Sequence, residues 1–297
     1  MRRYKYLLLV AVVLLSACGK SEQEKALQRQ KQVRADHEAY EAAFKVGVMP
    51  TMDCLPIYLL KDSLLYDTTK VDIRLLYYTA QMDCDTAMLR RRVQASTTDL
   101  FRAERLKRRY RVPLVYLTET NATWQLIANR KSKIKKLADL SDKIVAMTRN
   151  SITAYLTSKV IKEGKPKYQV YKAQINDVFV RLKMLQNDEI DAIWATEPQA
   201  TQALVWENNV LYNSAEDAFA PGGIVFVGES DINKQEEFQK AYNKAVDLIN
   251  KNGAKYYSAL ICKYMKVDER VVKSLPKLTY KRIISPRPAD IMKAQGK

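Results

Sequence analysis

Short apolar, β-branched and aromatic runs alternate with longer stretches of helical period along most of the chain. Runs at 44–48, 71–76, 93–96, 113–117, 125–128, 144–147, 168–171, 190–194, 210–212 and 224–227 read as strands. Between them, 153–162, 178–186 and 198–206 read as helices. In "VFVRLKMLQ", Val178, Leu182 and Leu185 fall on one helical face, and Asn176-Asp177 offers a cap. Strand–helix–strand alternation predicts an α/β architecture with mainly parallel sheets, whose ligands sit beyond the carboxyl ends of the strands. The last third changes character. Residues 233–253 form one long amphipathic pattern that stops at a glycine, and two shorter helical patterns follow before Pro276.

The start of the chain follows another rule. Arg2, Arg3 and Lys5 precede the apolar stretch 7–15, which is too short to span a bilayer and reads as the core of an export signal. Residues 19–42 are polar and read as an exposed, partly helical tether that carries His37, the one histidine of the chain. The 297 residues exceed a single small domain and predict two lobes. The formal net charge is +17, but the lysines and arginines are scattered apart from "RLKRRYR" and "RKSKIKK", which read as solvated faces; no nucleic-acid partner is expected.

The tripeptide Met-Asp-Cys occurs twice, at 52–54 and 82–84, each time where a strand gives way to a helix. Adjacent parallel strands lie about 5 Å apart, so Cys54 and Cys84 are candidates for a disulfide stapling the two turns. Two buried free thiols, or a soft-metal site with Met49, Met52 and Met82, are the other readings. Asp53 and Asp83 could meet a solute or cap helices, and for Asp85 and Asp99 capping is the simpler role. "MTRNS" leads into a helix whose start, with Ser151, Thr153, Asn150 and Arg149, could hold an anion. Cys262 falls on an apolar helical face, and Trp194 ends a strand as core.

Two resemblances add to this reading. Leu15-Ser16-Ala17-Cys18 resembles the lipobox of bacterial lipoproteins, which implies removal of residues 1–17 and a lipid on Cys18, followed by a tether over 18–40. The segments "VGVMPTMDCLPIYLLKDSLLYD", "DKIVAMTRNSITAYL", "VRLKMLQNDEIDAIWATEPQATQAL" and "PGGIVFVGESDINKQEEFQKAYNKAVDLI", in that order, resemble the solute-binding proteins of ABC importers for nitrate, sulfonates, taurine and thiamine-pyrimidine precursors. Pro56, Tyr58, Leu59, Lys61, Asp62, Asp191, Ala192, Glu197 and Pro198 match; Ser63 and Asn187-Asp188 depart where glycine is usual. The resemblance implies the two-lobed type 2 periplasmic-binding-protein fold, each lobe a mainly parallel sheet flanked by helices. It puts lobe 1 at 41–127 plus 219–297 and lobe 2 at 128–218, joined by crossovers at 124–129 and 218–227. It implies a monomeric receptor, anchored in a membrane, that captures a small anionic or zwitterionic solute for an ABC permease and its ATPase. It implies no cofactor, metal or catalytic residue. The solute would meet Met52, Asp53, Gln81, Met82, Asp83, Thr97, Thr98, Trp124, Arg149, Asn150, Ser151, Thr153 and Glu197. The alternatives are an enzyme on the same fold, of the thiamine-pyrimidine or menaquinone kind, and a soft-metal or sensor-linked binding lipoprotein.

Overall fold

The computed structural model describes residues 22–228 and 231–296, so the signal stretch and Cys18 lie outside the described residues. Nine of the ten strand-like runs fall on strands, and the tenth, 168–171, meets its strand only at Tyr171: β1 (Phe44–Val48), β2 (Ile73–Tyr77), β3 (Ala95–Asp99), β4 (Leu114–Glu119), β5 (Gln125–Ala128), β6 (Ile144–Met147), β7 (Tyr171–Gln174), β8 (Ala192–Ala195), β9 (Asn209–Asn213) and β10 (Gly222–Val227). They form two five-stranded sheets, ordered β2-β1-β3-β10-β4 and β7-β6-β8-β5-β9. In each sheet one strand opposes the rest: β10, antiparallel to β3 and β4, and β5, antiparallel to β8 and β9. These are the strands by which the chain enters a sheet after crossing from the other lobe. The sheets are thus mainly parallel by direction.

β5 lies wholly in the second sheet, paired from Gln125 to Ala128 with β8 and β9. The second lobe therefore begins a few residues earlier than the expected 128, and the crossovers are the short stretches 120–124 and 214–221. Hydrogen bonds pin them together: the Trp124 N–H donates to Ser214 Oγ (2.8 Å) and the Ser214 N–H to the Trp124 carbonyl (2.9 Å).

Helix α1 (Glu22–Ala42) buries no residue and belongs to a separate unit ending at Ala43. It carries the expected polar tether, with His37 exposed. In the second unit, α2 (Leu55–Asp62), α3 (Gln81–Leu89) and α4 (Leu100–Tyr110) follow β1, β2 and β3. Helix α5 (Ile152–Gly164) follows β6, α6 (Val178–Gln186) follows β7 and α7 (Gln199–Val205) follows β8. The long pattern is α8 (Ile232–Asn252), whose Phe238, Ala241, Tyr242, Ala245, Val246 and Ile249 are buried at helical spacing. Phe238 meets Phe44 of β1 with ring centroids 5.5 Å apart, tying this helix to the first sheet. Both basic runs are mostly solvated, as expected, with Leu106 and Ile134 as their inward residues. Among the described residues no helix is long and apolar enough to cross a membrane.

Candidate functional site

The carboxyl ends of β1, β3, β6 and β8 converge on a cavity of about 80 Å³ between the two lobes. Threonine or serine stands at most of these ends because the strand stops there and the backbone turns into a helix. Thr51, Thr97 and Thr98 come from the first lobe; Thr148, Ser151, Thr153 and Thr196 come from the second. Trp124, on a crossover, and Met49 supply apolar lining, and Gln81 and Asn176 add amides.

The first lobe contributes two carboxyls. Asp53 is buried in the turn after β1, where its Oδ2 accepts from Thr97 and Thr120 hydroxyls, each at 3.4 Å. Burial raises its pKa. Asp99 caps α4, its Oδ1 accepting from the Arg102 N–H at 3.0 Å. The same oxygen accepts from the Ile152 N–H of the second lobe at 3.3 Å. Burial pushes the Asp99 carboxyl up to about 7. Arg102 lies beside it, but its guanidinium is bound to Asp85.

The second lobe contributes Arg181, buried on α6 and facing the cavity. Among the described residues no acid hydrogen-bonds its guanidinium, and Asp177 acts on it only through its charge. The guanidinium donates instead to the Ile175 carbonyl (Nε, 3.1 Å), the Trp194 carbonyl (Nη1, 2.7 Å) and Thr148 Oγ1 (Nη2, 3.0 Å). Burial lowers its pKa to about 10, so it stays charged at neutral pH. Helix α5 starts at Ser151, whose Oγ accepts from the Thr153 N–H at 3.1 Å.

Hydrogen bonds cross between the lobes around this cavity. The Met52 N–H donates to the Glu197 carbonyl (2.8 Å), the Val178 N–H to the Thr79 carbonyl (2.9 Å), and Gln199 Nε2 to the Pro50 carbonyl (2.7 Å). With the Asp99–Ile152 bond they hold the lobes closed on each other.

Of the residues expected at the site, Asp53, Gln81, Thr97, Thr98, Trp124, Ser151 and Thr153 line this cavity. The others do different work. Glu197 is a buried brace: Oε1 accepts from Gln125 Nε2 (2.9 Å) and Oε2 from the Thr201 hydroxyl (2.6 Å). Met52 packs in the core. Asp83 is exposed, and Met82, Arg149 and Asn150 line a separate surface groove with Arg105. Arg149 misses the cavity because the turn after β6 points it outward. Cys54 and Cys84 are free thiols, both buried, so the staple is not formed. Cys54 Sγ accepts from Thr51 Oγ1 at 3.8 Å, Ser96 hydrogen-bonds Cys84, and burial drives both thiol pKa values up. A soft-metal site is not assembled either, since Met82 points to Gln174 at the surface. Among the described residues no group of three His, Cys, Asp or Glu side chains is placed to hold a metal. Trp194 is core, its Nε1 donating to Thr157 Oγ1 at 2.8 Å.

Arg181 was not among the expected residues, although its position shows in the sequence. It occupies the i+3 place beside Val178, Leu182 and Leu185, a cation on the apolar stripe of its helix.

No protein-family model and no curated protein sequence matches the chain. Solved structures do. The chain is similar to the periplasmic aliphatic sulphonate binding protein SsuA of Escherichia coli, with 18% identity and a TM-score of 0.66, over 86% of this chain and 84% of that one. It is similar to the ligand-binding component of an ABC-type import system from Staphylococcus aureus, solved with zinc bound, at 16% identity and a TM-score of 0.71, over 86% and 90%. It is also similar to the periplasmic nitrate-binding protein NrtA of Synechocystis PCC 6803, at 11% identity and a TM-score of 0.68, over 77% and 68%. The chain has the two-lobed fold of these solute-binding proteins of ABC import systems.

Proposed function

We propose that this protein is the solute-capturing component of an ABC importer, holding a small polar molecule between its two lobes. One observation carries this reading: turns and helix starts at the strand ends of both sheets bring hydroxyls, two carboxyls and a guanidinium onto a single cavity, and main-chain hydrogen bonds join the lobes beside it. The structural neighbours that share this fold over most of the chain are transport-binding proteins. Capture of the solute replaces water in the cleft and favours the closed form, whose surface a permease reads. The protein works as a monomer on the outer side of a membrane, held there by a lipid on Cys18 and handed out on the polar segment that includes α1.

The enzyme alternative has no observation in its favour. The cavity lining brings no histidine and no thiol, and Cys54, just behind it, is held protonated by burial. The soft-metal alternative fails on the positions of Met82 and the two thiols.

Two experiments test the proposal. Binding of small solutes, followed by Trp124 fluorescence and by thermal shift, is expected to be saturable and one-to-one; a panel of amines, amino acids, sulfonates and nitrate without a single saturable binder contradicts it. Cys18→Ala is expected to move the protein from the membrane to the soluble fraction, and retention in the membrane contradicts the anchor.

A further inference from the structure

Resting on that receptor reading, we infer that Asp99 fills the place of a solute's anionic group and, with Asp53, makes the cleft select solutes that carry a protonated amine over oxyanions.

The start of α5 is where an oxyanion would be expected, because helix N-termini offer free N–H groups and a favourable dipole. Here those donors are already spent. The Ile152 N–H goes to Asp99 Oδ1, the Thr153 N–H to Ser151 Oγ, and the Ala154 and Tyr155 N–H groups to the Ser151 carbonyl at 3.1 and 3.2 Å. The carboxyl at the helix start belongs to the protein and comes from the opposite lobe. The guanidinium of Arg181, the other anion-holding group, is tied to two carbonyls and a hydroxyl.

The first lobe puts its two acids on the cavity wall. Asp99 lines the cavity at 4% exposure, and its bonds from the Arg102 and Ile152 N–H groups both go to Oδ1. Its neighbouring cation, Arg102, is claimed by Asp85. Asp53 stands on the same wall, its Oδ2 accepting from the Thr97 and Thr120 hydroxyls at the long distance of 3.4 Å. A carboxyl this buried is costly to keep charged, and an ammonium or amidinium group supplies both a hydrogen bond and the countercharge. The geometry thus reverses the charge preference of the sulfonate- and nitrate-binding proteins that share the fold, and it revises the anionic solute expected from the sequence.

The test uses the mature protein and probes that share a carbon skeleton but differ in head group: ethylammonium against ethanesulfonate, and benzylammonium against benzoate, with nitrate added. Calorimetric titration is expected to show binding of the amine of at least one pair and of none of the oxyanions. Asp99→Asn keeps the caps at Arg102 and Ile152 and removes the charge; it is expected to weaken amine binding roughly 10- to 100-fold. Asp99→Ser keeps the cap on α4 but is too short to reach Ile152, and it is expected to admit nitrate or ethanesulfonate. Circular dichroism melts of both variants establish that they are folded. Wild-type binding of an oxyanion in preference to its paired amine overturns the inference and leaves solute capture standing. Amine binding unchanged in Asp99→Asn also overturns it. Failure of every probe of both classes to bind the wild type overturns the inference together with the receptor reading.

Discussion

Each wall of the cleft is made by turns at the ends of parallel strands, yet the two walls spend their charges differently. In the second lobe, the charge of Arg181 and the donors at the start of α5 are used on the lobe's own carbonyls and hydroxyls, apart from one N–H given to Asp99. In the first lobe, Asp53 and Asp99 are acids whose pKa values are raised by burial. One charge holds its wall together and the others strain theirs. A site that binds something is expected to carry the second kind, since stability is given up where the ligand is to contribute it.

Removing the two kinds of charge should therefore move stability in opposite directions. The largest effect is expected from Arg181→Leu, which leaves the Ile175 and Trp194 carbonyls and the Thr148 hydroxyl without their donor; urea unfolding should show a loss of roughly 3–5 kcal/mol. Asp99→Asn should do the reverse. Its carboxyl has a folded pKa of about 7 against 3.8 in the unfolded chain. The folded state thus holds the extra proton between these values, and the stability cost grows as pH rises from 4 to 7 and is complete above 7. The variant should be more stable than wild type by on the order of 4 kcal/mol at pH 8, with the difference vanishing near pH 4. A pH-independent difference would show that the carboxyl is not strained.

A smaller effect tests how the first wall is spaced. A Cβ on Gly47 would stand 2.7 Å from Ser96 Oγ, between the two strands that carry Asp53 and Thr97 toward the cleft. Gly47→Ala should cost about 1–3 kcal/mol by the same unfolding assay. The smallest effect separates the two Met-Asp-Cys turns. Asp83→Ala, at an exposed position, should change stability by less than about 0.5 kcal/mol and leave solute affinity unaltered. Asp53→Ala should abolish measurable capture.

That contrast also marks how much was legible in the sequence. The periodicities were sufficient for nine of the strands and for the long helix α8, because each rests on a local pattern of buried and exposed positions; β7, an exposed edge strand, begins three residues later than its run. The repeated tripeptide suggested two equivalent turns, and the turns differ. Met52–Cys54 forms a 3-10 turn ahead of α2 and buries all three residues, whereas Gln81 already starts α3 and carries Asp83 to the surface. Which way a turn leaves its strand depends on what packs against it, and no local pattern records that. The outward course of Arg149 has the same cause. Other parts of the site do show in the sequence. Threonine follows the strands in "VMPT", "VAMT" and "IWAT", three of the residues that line the cavity. Arg181 interrupts an apolar helical stripe. The partner of the α5 start was beyond reach, since Asp99 and Ile152 meet only once the lobes are folded and closed, 53 residues apart along the chain.

The central claim, capture by closure of the two lobes, is tested most directly by amide hydrogen exchange at Met52, Ile152 and Val178, whose N–H groups donate across the cleft. Saturation with whichever probe binds in calorimetry is expected to slow exchange at these three amides together, while amides inside each sheet keep their rates. Equal rates at all three with and without the bound probe would contradict the account.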